Sequence, residues 1–390
     1  MKNVLLITIM LAGTQGAHAL RWDGANHPNN FSRIAGTNLI TDFNALPIRG
    51  KLSDDRMVWS ETYWPSNLGG ISYRWNDPSS QPFTYKLHSK EELQRMSMEE
   101  LSKLSPSELY DIAQGDYSYS LTRKARSLYT KRDLWWEGIC HGWAQAAANY
   151  PEPRPVNVIN PDGIRVPFGS SDVKGLLAMH EAYNYKGNKY GFVGKRCRVR
   201  GKVVGEEDAR DGGIVRPSPA DAASPDCSDV NAGAFHVVVS NMIGIHSKSF
   251  VTDVDRFNDV WNQPIHSYES RIISDSAVSE GDGVARKIHV ATKFTYGEEL
   301  QIYTPARAAE KPEVFWWQSK QPVTGTALQQ FRSKDYEYVL ELDSNNRIIG
   351  GEWISETRPD FMWMYARSPK FKSSVVNLTG LNAIYRPVQR

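Results

Sequence analysis

Cysteine is scarce in this 390-residue chain: three residues, too few for a fold held together by disulfides. No apolar run reaches the length that a membrane-spanning helix requires. Neither sign of charge dominates, with 46 lysines and arginines against 44 aspartates and glutamates, so the basic field that nucleic-acid binding exploits is missing. At 40% hydrophobic and 23% charged residues the chain also lacks the bias of disordered or collagen-like proteins. A folded protein without a nucleic-acid partner or a membrane span is expected. Its N-terminus carries Lys2, a short apolar stretch over residues 4–12 and the small-residue site Ala17-His18-Ala19, the three regions of a secretory signal peptide. Residues 1–19 are therefore expected to be removed and the mature chain secreted, with a periplasmic location as the alternative.

An odd cysteine count in an exported chain implies one disulfide and one thiol left free. Cys197 and Cys227 lie in a loop-like stretch dense in Gly, Lys, Arg, Asp and Ser and are expected to staple it. Closing a loop of about thirty residues contributes roughly 2–4 kcal/mol. A metal site is the rival reading, but neither cysteine belongs to a CxxC pair.

Residues 20–100 read as a loop-rich N-terminal region and possible propiece, 101–300 as the core, and 301–390 as a C-terminal hairpin extension packed on it. Within 89–115 the spacing predicts two amphipathic helices, the second opened by Ser105-Pro106. Further helices are expected from Cys140 and over 171–183. From residue 235 the period changes to two, giving strands over 235–245, 249–255, 267–273 and 287–296, then a hairpin of 336–342 with 347–354 and a bulge near Gly350-Gly351. Helices followed by an antiparallel sheet predict an α+β fold.

Cys140 follows a Gly-Ile pair at an expected helix start, where free backbone N–H groups and the helix dipole favour a thiolate and can donate to an oxyanion. The plainer reading is a small buried hydrophobe. A thiol nucleophile needs a base, and His236 opens the hydrophobic run AFHVVVSN, expected as a strand facing the cysteine helix, the papain-type order of Cys then His. Asp253 on the next strand is the expected third member, with Asp255 as the alternate; solvated carboxylates or a calcium pair are the competing readings. Trp135, Trp136, Trp143 and Trp261 are candidates for a dry substrate channel, though each singly also fits a core. Papain-type proteases place an oxyanion-donating Gln six residues before the cysteine, where Leu134 stands here.

GICHGWAQAA around Cys140, AFHVVVSN around His236, LSPSELYDIAQGDYS, YEYVLELDSNNRIIGGEW and above all Val260-Trp261-Asn262-Gln263-Pro264 resemble the transglutaminase elicitor family of secreted oomycete and bacterial proteins. The resemblance implies a papain-like α+β fold with Cys140, His236 and Asp253 as a triad. It also implies acyl transfer from a protein glutamine to a primary amine such as lysine, with ammonia released. Protein substrates with accessible Gln and Lys are then the partners, and calcium a possible cofactor, although no EF-hand loop is present. In oomycete members the VWNQP pentapeptide begins a peptide perceived by plant receptors; Ile265 to Glu269 depart from it here. A cysteine hydrolase or deamidase, and a non-catalytic elicitor-type binding protein, are the alternatives.

Overall fold

From residue 287 every second residue is apolar or small, and a strand that shows one face to a core buries that set. Ile288, Val290, Thr292, Phe294 and Tyr296 are all buried. The computed structural model in which this holds describes residues 22, 24–77, 79–131, 137–183, 189–195, 229–255, 260–281, 283–300, 320–326, 328–368, 370–373 and 375–389. Residues 1–19, Trp135, Trp136, Cys197 and Cys227 lie outside these, and with them the signal peptide, the proposed staple and half of the proposed channel.

The strands are β1 (Arg49–Lys51), β2 (Glu61–Thr62), β3 (Val156–Ile159), β4 (Arg165–Phe168), β5 (Tyr190–Gly194), β6 (Val251–Asp253), β7 (Asn262–Gly281), β8 (Val284–Gly297), β9 (Glu299–Leu300), β10 (Phe331–Leu342), β11 (Ile348–Trp353) and β12 (Phe361–Tyr365). The main sheet is antiparallel in the order β11-β10-β8-β7-β6-β12-β5, with β1 also paired to β7. Two further pairs, β3 with β4 and parallel β2 with β9, stand apart. The longer helices are α1 (Pro106–Ala113), α2 (Ser120–Leu128), α3 (Cys140–Asn149), α4 (Ser170–Tyr183) and α5 (Ala232–Val239). Mixed helices and an antiparallel sheet meet the α+β expectation.

Several expectations need correction. The first helix of residues 89–115 is broken into two single turns, Lys90–Leu93 and Met98–Leu101, each opened by its own capping box, Ser89 with Glu92 and Ser97 with Glu100. Ser97 adopts φ −67° and ψ 161°, an extended geometry that restarts the chain. Ser105 with Glu108 repeats the device and opens α1 as expected.

Residues 235–245, expected as a strand, are helical: α5 passes directly into a π-helical turn over Ser240–Ile245. Asn231 caps α5 by accepting from the N–H groups of Gly233 and Ala234 at 2.9 and 3.3 Å. Because α5 is buried on every side it carries no periodic signal, and its valines mimic a strand. Gly233 lets it lie on β11, since a Cβ there would stand 2.3 Å from the Gly350 carbonyl oxygen. The β10/β11 hairpin has the expected irregularity, between Glu341 and Leu342 opposite Gly350 and Ile348.

The loop-rich N-terminal region is built into the common core, where Phe31, Trp59, Trp64 and Ile71 pack in one cluster with Trp143, Leu176 and Phe235. As β1 and β2 it also supplies strands to β7 and β9. It is therefore no separable cover. Residues 301–390 add the expected hairpin, β10 with β11, to one edge of the main sheet, and also place β12 inside it between β6 and β5.

Helices α3 and α4 cross at Gly142, where a Cβ would lie 2.2 Å from the Ala178 carbonyl oxygen. Gly142→Ala should therefore separate the helices and cost about 1–3 kcal/mol. Thermal unfolding reads this directly, and an unchanged midpoint would contradict the crossing.

Candidate active site

Cys140 is the first residue of α3, so its backbone N–H has no acceptor within the helix. Two anchors fix the turn before it: Ile139 N–H donates to the Tyr63 carbonyl at 2.8 Å, and Gly138 packs so tightly that a Cβ would meet the same oxygen at 2.4 Å. The Cys140 Sγ is 3.8 Å from the Val260 carbonyl oxygen, and the Asn262 side-chain N–H₂ points at it from 3.8 Å. Asn262 is held by Trp363, whose indole N–H donates to its Oδ1 at 2.8 Å. Asp253 pairs with Asn262 across β6 and β7 and accepts from the Trp261 backbone N–H at 3.1 Å.

The VWNQP pentapeptide thus borders the sulfur, with Asn262, Gln263 and Pro264 buried. Successive strand residues face opposite ways. Trp261 and Gln263 line a polar cleft of about 550 Å³ that Asp255, Tyr296, Glu298, Glu299, Arg332 and Lys334 also line. Asn262 faces a second, aromatic cleft of about 310 Å³ with His141, Phe192, Phe361 and Trp363.

Burial, then the Glu299 carboxylate, push the Cys140 thiol up to about 12; the Asn262 amide opposes this and Asp253 adds to it. The resting group is a thiol, contrary to the thiolate expected from a helix N-terminus, because desolvation outweighs the dipole. Burial also raises Glu299, with a further push from Glu298, to about 8.

His236 is not brought to Cys140. Its Nδ1 bonds the Tyr338 hydroxyl at 2.8 Å and its ring stacks on Phe43 at 5.9 Å between centroids. The Tyr338 hydroxyl bonds Thr292, which pairs with Ser270, eight residues along β7 from Asn262. At ~3.3 Å per residue, roughly 25 Å of strand separates the imidazole from the cysteine. The helical fold of its segment carries it there. The adjacent His141 faces the aromatic cleft and bonds the Ala182 backbone, His180 packs on Phe371 and His266 stacks on Phe331. Among the described residues no histidine is hydrogen-bonded to the Cys140 sulfur.

Trp143, a channel candidate, is wholly buried, with its indole N–H donating to the Trp59 carbonyl at 3.3 Å. It is core, whereas Trp261 does line the polar cleft. Asp255 lies 3.5 Å from Lys334 and lines the polar cleft. Among the described residues no three His, Cys, Asp or Glu side chains converge to hold a metal, and the cleft acids Asp255 and Glu298 face Lys334 and Arg332. The calcium expectation finds no fitting site there, and no step below uses the ion. Two contributors escaped the sequence. Asn262 stood there only as a motif letter, and nothing distinguishes Glu299 from its neighbour Glu298 in Tyr-Gly-Glu-Glu-Leu.

A cysteine on a helix N-terminus facing the opening of an antiparallel sheet defines a thiol-bearing α+β protein. The sequence profile described as transglutaminase elicitor matches residues 29–390, and the chain belongs to that family. Among solved structures it is similar to the GP42 transglutaminase from Phytophthora sojae, with a TM-score of 0.57 and 19% identity over 90% of this chain and 94% of that one. At that identity the likeness concerns the fold. No curated protein sequence matches. Among the described residues no helix is long and apolar enough to cross a membrane.

Two outcomes follow from these environments. Alkylation of Cys140 by iodoacetamide, followed by peptide mass spectrometry, should be slow at pH 8 and accelerate at higher pH toward about 12. Rapid labelling at neutral pH would contradict the buried thiol. Burial lowers His236 to about 4, so it stays neutral in the fold while the unfolded chain takes up a proton below its usual value near 6.5. The stability it contributes is complete above that value and is lost as pH falls toward 4. His236→Gln should therefore remove roughly 3 kcal/mol of pH dependence across this window in denaturant titrations. An identical dependence in both proteins would contradict its burial.

Proposed function

We propose that this protein is a secreted protein-glutamine γ-glutamyltransferase, forming isopeptide bonds between protein glutamine and lysine or other primary amines through a Cys140 thioester. One observation carries the reading: a cysteine sulfur at a helix N-terminus, with the Asn262 amide aimed at it, in a chain of the transglutaminase elicitor family. A papain-type division, with the nucleophile on a helix opposite a sheet, is the finer reading of the fold. Export and a Cys197–Cys227 staple belong to the same proposal.

The Cys140 sulfur attacks the glutamine carboxamide carbon. The oxyanion that forms is met by the Cys140 N–H and the Asn262 amide, the proton given up by the thiol is handed on to the leaving nitrogen, collapse expels ammonia, and a thioester remains. With the thiol near 12, a standing thiolate at pH 7 costs roughly 7 kcal/mol, so the proton leaves only as the bond to carbon forms. Its acceptor is the Asp253 carboxylate, since Glu299, the other acid whose charge reaches the sulfur, is held mostly neutral below about 8. This replaces the imidazole of the expected triad and keeps Asp253 within it. An amine then takes the acyl group.

Hydrolysis is the second reading, favoured by the polar groups of the adjoining cleft, which admit water. Ammonia release and incorporation of a labelled primary amine into a glutamine-containing protein separate the two. Wild type should do both and Cys140→Ala neither. Ammonia without any amine incorporation makes the protein a deamidase, and full activity in Cys140→Ala removes the thioester.

A further inference from the structure

The polar cleft beside Cys140 holds three carboxylates and two cations. Arg332 Nε bonds Glu298 at 2.6 Å, and Lys334 Nζ lies 3.5 Å from Asp255. Glu299 is left over. It is 8% exposed, lines the cleft, has a buried Oε2 without a partner, and forms no ion pair among the described residues. A buried carboxylate without a counter-charge is costly unless a ligand supplies one.

Its place in the fold explains its closeness to the sulfur. Strand β9 pairs in parallel with Glu61 and Thr62, and the next residue, Tyr63, accepts from Ile139, the neighbour of Cys140. Trp261 and Tyr296 line the same cleft and give it aromatic walls suited to an alkyl chain with a cationic end.

Resting on the transferase reading above, we propose that this cleft is the acceptor site, binding a primary alkylammonium such as a lysine side chain, and that Glu299 removes the proton that keeps its nitrogen from attacking. The Glu299 carboxylate takes one proton from R–NH₃⁺. The freed nitrogen lone pair forms the bond to the acyl carbon of acyl-Cys140, and the C–S bond breaks with its electron pair going to sulfur. The second nitrogen proton passes to that sulfur and restores the thiol, while Glu299 returns its proton to water through the cleft. Free Glu299, at about 8, is mostly protonated at neutral pH; the docked ammonium supplies the missing counter-charge, displaces that proton and leaves a carboxylate that can take one from nitrogen.

Two measurements test this. In the Cys140→Ala protein, calorimetry should show pentylamine binding at least tenfold tighter than pentanol, with that preference lost on adding Glu299→Gln. Equal binding of the two probes overturns the acceptor site whatever the enzyme does, and needs no second variant to fold. In the protein with its thiol intact, Glu299→Gln should lower kcat/KM for pentylamine on the order of 100-fold, while hydroxylamine, neutral and already deprotonated, loses at least tenfold less. Equal losses for both nucleophiles, or none, overturn the role of Glu299. Glu299-dependent amine binding without ammonia release from a glutamine peptide would sink the transferase reading alone and leave an alkylammonium site.

Discussion

The Asn262 side chain works in two directions: its oxygen accepts the Trp363 indole N–H, and that bond turns its nitrogen toward the Cys140 sulfur. A buried amide left without its partner costs about 1–3 kcal/mol, so the rotamer is fixed by β12 and not by the substrate. The rest of the site depends on this. Asn262 pairs with Asp253, so the same register brings an acid near the thiol. The start of α3 is tied from the other side by Tyr63, whose neighbours pair with β9 and bring Glu299. Three segments far apart in sequence thus meet on one sulfur through backbone pairing.

Desolvation is the force that tunes these groups. It raises Cys140 and Glu299 and lowers His236, each toward its neutral form. The resting site is therefore a low-charge one in which protons are shared among a thiol and carboxylates. Charge develops only when substrate arrives, and the Cys140 N–H and the Asn262 amide are already in place to meet it. Glu299 is the one cleft carboxylate outside an ion pair among the described residues, which makes the polar cleft complementary to a single cation.

Much of this was legible in the sequence. A cysteine after a Gly-Ile pair and before an alanine-rich segment marked the start of α3, and alternation marked β8 and the hairpin of β10 with β11. What failed was the run Ala-Phe-His-Val-Val-Val: a helix buried all round looks like a strand of valines, and the cap that Asn231 provides was not read from the sequence. That error moved His236 onto a strand and made it a base. Asn262 and Glu299 were illegible for a different reason. Their roles come from pairing with β6 and β2, partners no local pattern names. Trp143 shows the same limit, since tryptophans of a core and of a channel look alike until their neighbours are known.

The central claim is that Cys140 is acylated without an imidazole. Intact-mass spectrometry of folded His236→Gln protein, quenched in acid after exposure to a glutamine peptide, tests it most directly. The account predicts an adduct on Cys140 equal to the peptide less ammonia. A folded His236→Gln protein that never forms this adduct, beside a wild type that does, would contradict it.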